Sequence, residues 1–128
     1  MKRVTGIGGI FFKSKDPKAL GAWYKTHLGI DVQPWGGAAF DWKGPDNPAG
    51  VGTTAWSLFP ADTKHFAPSA APFMVNYRVA DLHALLAALR SEGVHVEEKV
   101  SESEYGKFGW VMDPEGNRVE LWQPPDGQ

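Results

Sequence analysis

The chain has 128 residues, 42% of them hydrophobic, enough for one domain that buries roughly two-thirds of its unfolded surface. Thirteen basic against fifteen acidic residues leave a net charge of −2, which offers no electrostatic footprint for nucleic acid or an anionic membrane, and no apolar run approaches the ~20 residues of a membrane span. There is no cysteine, so disulfides, thiolate nucleophiles and Cys-based metal sites are excluded, and a reducing compartment is the natural expectation.

In chain order, Met1-Lys2-Arg3 and the apolar Gly6–Phe12 have the outline of a signal peptide. Lys13 and Lys15 cut that run short and no small-residue cleavage site follows, so a cytoplasmic protein is expected. Val4 to Lys15 instead has the apolar content of a buried strand. Asp16-Pro17 supplies an N-cap and a proline at the first helical position, and Gly29 is placed to end the helix in the left-handed conformation. Leu20, Trp23, Tyr24 and Leu28 form its predicted buried stripe. Ile30, Val32 and Pro34 start the next predicted strand, Ala38 to Trp42 is a short one, Lys43 to Gly52 a loop, and Thr54 to Phe59 another strand. Pro60 to Pro72 carries no periodicity and reads as a connector.

The second half follows the same plan. Phe73 to Val79 is a predicted strand; Asp81 caps a helix with Leu82, Leu85, Leu86 and Leu89 on one face; Gly93 ends it; Val94 to Val100 is a further strand. Asp113-Pro114-Glu115-Gly116 is a turn between two strands, Tyr105–Met112 and Arg118–Trp122. Asp16 and Asp81, Ala19 and Ala84, Leu20 and Leu85, and Ala22 and Ala87 stand 65 residues apart, Gly29 and Gly93 and Val32 and Val96 64 apart, which predicts an internal repeat. The expected fold class is α+β: two βαβββ modules, 1–60 and 72–125, joined by a linker over 61–71 within a single domain, with a cup-shaped mixed sheet and helices outside.

Strand, Asp-capped helix and Leu-Gly, then strand, Val-Ala-Asp-Leu helix and Gly-Val, and finally Asp-Pro-Glu-Gly-Asn-Arg-Val-Glu-Leu-Trp (113–122) resemble the vicinal oxygen chelate superfamily of glyoxalases, bleomycin-resistance proteins and extradiol dioxygenases. The resemblance spans the chain and implies a homodimer and a small organic ligand in the cup. Its metal-binding members would place ligands at Gly9, at Trp56 or Ser57, at Met74 and at Glu120. Only Glu120 is a good ligand there; glycine has no donor, a thioether is soft, and a divalent ion needs three or four protein ligands. No metal and no cofactor are therefore expected. None of His27, His65, His83 and His95 stands in metal-ligand spacing to another, and Gly6, Gly8 and Gly9 fit close backbone approach better than a dinucleotide fingerprint.

With a period of two, Arg118, Glu120 and Trp122 share one face of their strand, and Met74, Asn76 and Arg78 one face of theirs. The expected site is Glu120 as the catalytic carboxylate, with Trp56, Met74, Asn76, Arg78, Trp110 and Trp122 lining the ligand cavity, since a cavity walled by aromatic rings suits a flat or apolar ligand. Three functions fit: metal-free binding or sequestration of a small organic molecule; a lyase- or isomerase-type enzyme using Glu120 as general acid or base on a carbonyl substrate; or a non-catalytic interaction domain whose cup is filled by side chains.

Overall fold

The computed structural model describes residues 3–128; Met1 and Lys2, part of the signal-peptide comparison, lie outside them. The first strand, β1 (Val4–Ser14), leads into α1 (Pro17–Leu28), which begins where expected because the Asp16 carboxylate accepts from the Ala19 amide at 3.0 Å. Gly29, with φ of 69°, closes the helix by donating its amide hydrogen to the Tyr24 carbonyl. Then come β2 (Gly37–Asp41), β3 (Thr53–Pro60), β4 (Phe73–Val79), α2 (Leu82–Ser91), β5 (Ser101–Ser103), β6 (Gly106–Met112) and β7 (Arg118–Gln123).

All seven strands join one mixed sheet in the order β2-β3-β1-β4-β7-β6-β5. The pairing pattern is the same on both sides of the central β1–β4 contact. β3 runs parallel to β1 as β7 runs parallel to β4, and β2 and β6 are then added antiparallel. Among the described residues the chain is thus a mixed α+β fold with a curled sheet and two helices.

The main core lies under α2, where Leu82, Leu85 and Leu86 bury the expected stripe against Val79, Val111 and Leu121. Asp81 caps this helix as Asp16 caps the other, accepting from the Ala84 amide at 3.1 Å. Burying three leucines contributes about 1.5–3 kcal/mol each. The turn into β7 also forms as expected. Asp113 accepts from the amides of Glu115 and Asn117, both at 2.9 Å, and Gly116 takes φ of 84°.

Four expectations are corrected. Ile30 to Pro34 forms no strand, because Pro34 lacks an amide hydrogen, Val32 packs beside Gly21 of α1, and the chain turns at Gln33–Gly36. The first half is therefore one strand short of βαβββ. Val94 to Val100 makes only an isolated bridge, Val96 to Val111, and the edge strand is the three-residue β5. In α1, Trp23 is 49% and Leu28 62% exposed, since only Gly21 of that helix is fully buried. The connector over 60–72 is not a passive link: its Phe66 is completely buried, packed against Phe59.

Candidate functional site

The β7 register decides the site. Glu120 pairs with Asn76 on one side and Trp110 on the other, so three side chains project from adjacent strands onto the same face. Glu120 is 3% exposed and its carboxylate meets three polar side chains. Asn76 Nδ2 donates to Oε1 at 2.7 Å, Trp110 Nε1 donates to Oε2 at 2.9 Å, and His65 Nε2 lies 3.0 Å from Oε2. Burying a carboxylate is costly unless its lone pairs are satisfied, and an indole N–H can only donate, so this set is built around an acceptor-only group.

His65 comes from the connector, not from the sheet. Its ring stacks on Phe59 with centroids 5.4 Å apart and 2° between planes, and meets Trp110 edge-on at 6.4 Å. Its backbone carbonyl accepts from Arg118, which also grips Glu97 through two hydrogen bonds of 2.7 and 2.8 Å and lies over the Trp110 ring. The Arg118 guanidinium holds the Glu97 carboxyl below the usual carboxylate range, its hydrogen bonds outweighing partial burial.

A cavity of about 770 Å³ opens over this cluster. It is lined by Phe11, Phe59, Phe108 and Trp110 together with His65 and the buried Glu120. Lys64, Lys99 and Arg118 supply positive charge along the same lining.

The other expected residues divide. Met74 is buried, 1% exposed, on the Asn76 face. Arg78 and Trp122 lie two residues further along β4 and β7 and pack together. The Arg78 guanidinium sits 4.7 Å from the Trp42 ring and 5.3 Å from the Trp122 ring and donates to the Gln128 carbonyl, and burial lowers its pKa. Arg78 is thus not a partner of Glu120. Trp56 does not line the cavity: alternation along β3 sends Ser57 and Phe59 to the concave side and Trp56 to the helix side, against Tyr24 at 5.0 Å and Phe12 at 5.7 Å.

The same alternation resolves the metal positions. Phe11 pairs with Ser57 as Asn76 pairs with Glu120, so Ser57 rather than Trp56 is the counterpart of Glu120. A side chain at Gly9 would collide with the Phe11 ring at 2.7 Å, and Gly8 leaves room for the Asn76 amide, 2.2 Å from where a Cβ would stand. With a glycine, a thioether and a serine in three places and Glu120 fully engaged, the residues present do not fit a divalent ion. Among the described residues no group of three or more His, Asp or Glu side chains is gathered that would hold one.

A family model described as a glyoxalase-like domain matches residues 9–122. The chain belongs to the glyoxalase-like family. Solved structures of the vicinal oxygen chelate superfamily share the fold. Methylmalonyl-CoA epimerase from Mycobacterium tuberculosis aligns over 98% of this chain and 91% of its own, at 21% identity and a TM-score of 0.64. A Streptomyces coelicolor methylmalonyl-CoA epimerase variant in complex with 2-nitronate-propionyl-CoA covers 98% of each chain at 19% identity and a TM-score of 0.68. A glyoxalase/bleomycin resistance protein/dioxygenase superfamily member from Vibrio splendidus covers 91% of this chain and 97% of its own, at 14% and 0.55. No curated protein sequence matches the chain. Likeness at these identities concerns the fold, and no helix among the described residues is long and apolar enough to cross a membrane.

Residue reasoning missed His65, Phe11, Phe59, Phe108 and Arg118 as cavity residues. Phe108 and Phe59 follow from alternation once Trp110 and Ser57 are placed. His65 has no such signal, because a connector has no period.

Proposed function

We propose that this glyoxalase-like chain binds a small organic molecule in its cup without a metal ion. The supporting observation is the cavity itself, about 770 Å³, lined by aromatic rings and a few polar side chains, which is the usual composition of a small-molecule site. Ligand-observed NMR with a fragment set, followed by calorimetry on wild type and Phe59→Ala, tests this reading. Hits should weaken at least tenfold in Phe59→Ala, about 1.4 kcal/mol; hits that bind both proteins equally would place binding elsewhere.

A second reading is a lyase- or isomerase-type enzyme on a carbonyl substrate, with Glu120 as acid or base. It is favoured by the 3.0 Å contact between Glu120 and His65, which joins an acid–base pair in one cavity. The fold neighbours named as epimerases support it as well. Deuterium uptake from solvent into a carbonyl-bearing hit, lost in Glu120→Gln, is the expected result; no uptake with any hit would leave binding alone.

A further inference from the structure

We propose that the cup is built for a flat organic acid carrying a hydroxyl group, with Lys64 and Lys99 pairing with the anionic group and His65 Nδ1 accepting a hydrogen bond from the hydroxyl. The inference rests on the binding reading above and names its ligand class.

Three side chains surround the Glu120 carboxylate. Two of its three partners, the Trp110 indole and the Asn76 amide nitrogen, can only donate, and the third contact is to His65 Nε2 on an oxygen that already accepts from Trp110. A carboxylate so placed has only acceptor capacity to offer, so Nε2 must carry the hydrogen. In the neutral imidazole the other nitrogen, Nδ1, then presents a lone pair. Nδ1 makes no hydrogen bond among the described residues, while His65 lines the cavity with 36% of its side chain exposed. The ring cannot turn away readily. Phe59 covers one face, Trp110 meets its edge, Arg118 holds its carbonyl, and its own amide donates to Thr63 Oγ1 at 3.2 Å. An acceptor held this firmly in a cavity selects a ligand that has a donor at that point.

The charges point to the second ligand group. Arg118 is paired with Glu97, and the donors around Glu120 stabilise its charge without cancelling it, whereas Lys64 and Lys99 form no ion pair among the described residues, although the Lys99 charge also acts on Glu97. The three cations of the lining still outnumber Glu97 and Glu120. Lys99 Nζ lies 6.0 Å from the centre of the Trp110 ring, beside the aromatic wall. Two unpaired ammonium groups around a partly apolar cavity favour an anion, and the flat walls favour a planar body.

Calorimetry with benzoate, phenol and the three hydroxybenzoate isomers tests the proposal on the full chain. The best hydroxybenzoate should bind at least tenfold tighter than benzoate or phenol. His65→Ala should bring it level with benzoate, and the Lys64→Ala, Lys99→Ala double variant level with phenol. Benzoate as tight as every hydroxybenzoate, or a hydroxyl preference that survives His65→Ala, would overturn it. So would the absence of binding by any of the five while neutral fragments bind in a Phe59-dependent way, an outcome that leaves the cup reading standing; if nothing binds at all, both fall. Long-range proton–nitrogen NMR of His65 gives a readout independent of any ligand and of whether His65→Ala folds. The Nε2–H tautomer is expected in wild type, and Nδ1–H would overturn the proposal.

Discussion

At the scale of single residues, Glu120 is tightly held. It is buried at 3% exposure and receives donors from β4, β6 and the connector. Glu120→Gln keeps the shape but turns one acceptor into a donor facing other donors, so two N–H groups meet. We expect that change to cost about 1–3 kcal/mol of stability, read by urea denaturation, because a buried donor loses its partner. An unchanged midpoint would mean that water satisfies the site. Glu97 carries the second residue-scale expectation. Its folded pKa lies below the ordinary value of 4.5, so the stability from its pair with Arg118 is fully present above that value and is lost as pH falls through the folded pKa. Acid titration of stability should therefore be shallower in Glu97→Gln than in wild type below pH 4.5. Parallel titrations would show that the pair is already screened by solvent.

At the scale of elements, the connector matters most. A segment without periodicity would tolerate substitution within about 0.5 kcal/mol, as exposed surface does. Phe66, however, is fully buried against Phe59, next to the histidine that reaches Glu120. Phe66→Ala should cost about 3–5 kcal/mol, the range for emptying a phenylalanine site in a core, and should weaken ligand binding because the segment carrying His65 loses its anchor. A loss under about 1 kcal/mol in denaturant would sink this reading of the connector. The contrast with Val94 to Val100 is instructive. There alternation predicted a strand, yet pairing is limited to the bridge at Val96 while Glu97 turns its carboxylate to Arg118.

At the scale of the molecule, the absence of a fitting donor set at Gly9, Ser57 and Met74 leads to an expectation for purified protein. Elemental analysis after dialysis should find no stoichiometric divalent ion, and one tightly held ion per chain would refute the fit argument. The homodimer implied by the family resemblance stands as a proposal. The structure adds one reason for it, since Ile7 and Ile10, at 40% and 39% exposure, leave apolar surface on β1. Light scattering should give twice the 14.0 kDa of one chain at tens of micromolar; a monomer mass would count against it.

Much of this was legible in the residues alone. Helix starts at Asp16 and Asp81, stops at Gly29 and Gly93, the turn at Asp113–Gly116 and the leucine stripe of α2 all rest on interactions within a few residues, which local sequence encodes directly. Alternation likewise placed Glu120 beside Trp122 and Asn76 beside Met74 on their faces. What only the tertiary structure decided is which strands lie side by side and where the unpatterned segment goes. Pairing of Asn76 with Glu120, Trp56 turning to the helix side, Arg78 stacking between Trp42 and Trp122, and His65 folding onto the carboxylate each depend on residues 32 to 55 positions apart, whereas Trp110 meets Glu120 across the predicted hairpin. No local preference carries such contacts. Around Glu120 the reason is that closing the curled sheet buries a carboxylate whose lone pairs must be met, by donors from neighbouring strands and from the connector; Trp56 and Arg78 are placed instead by aromatic packing against Tyr24 and between Trp42 and Trp122.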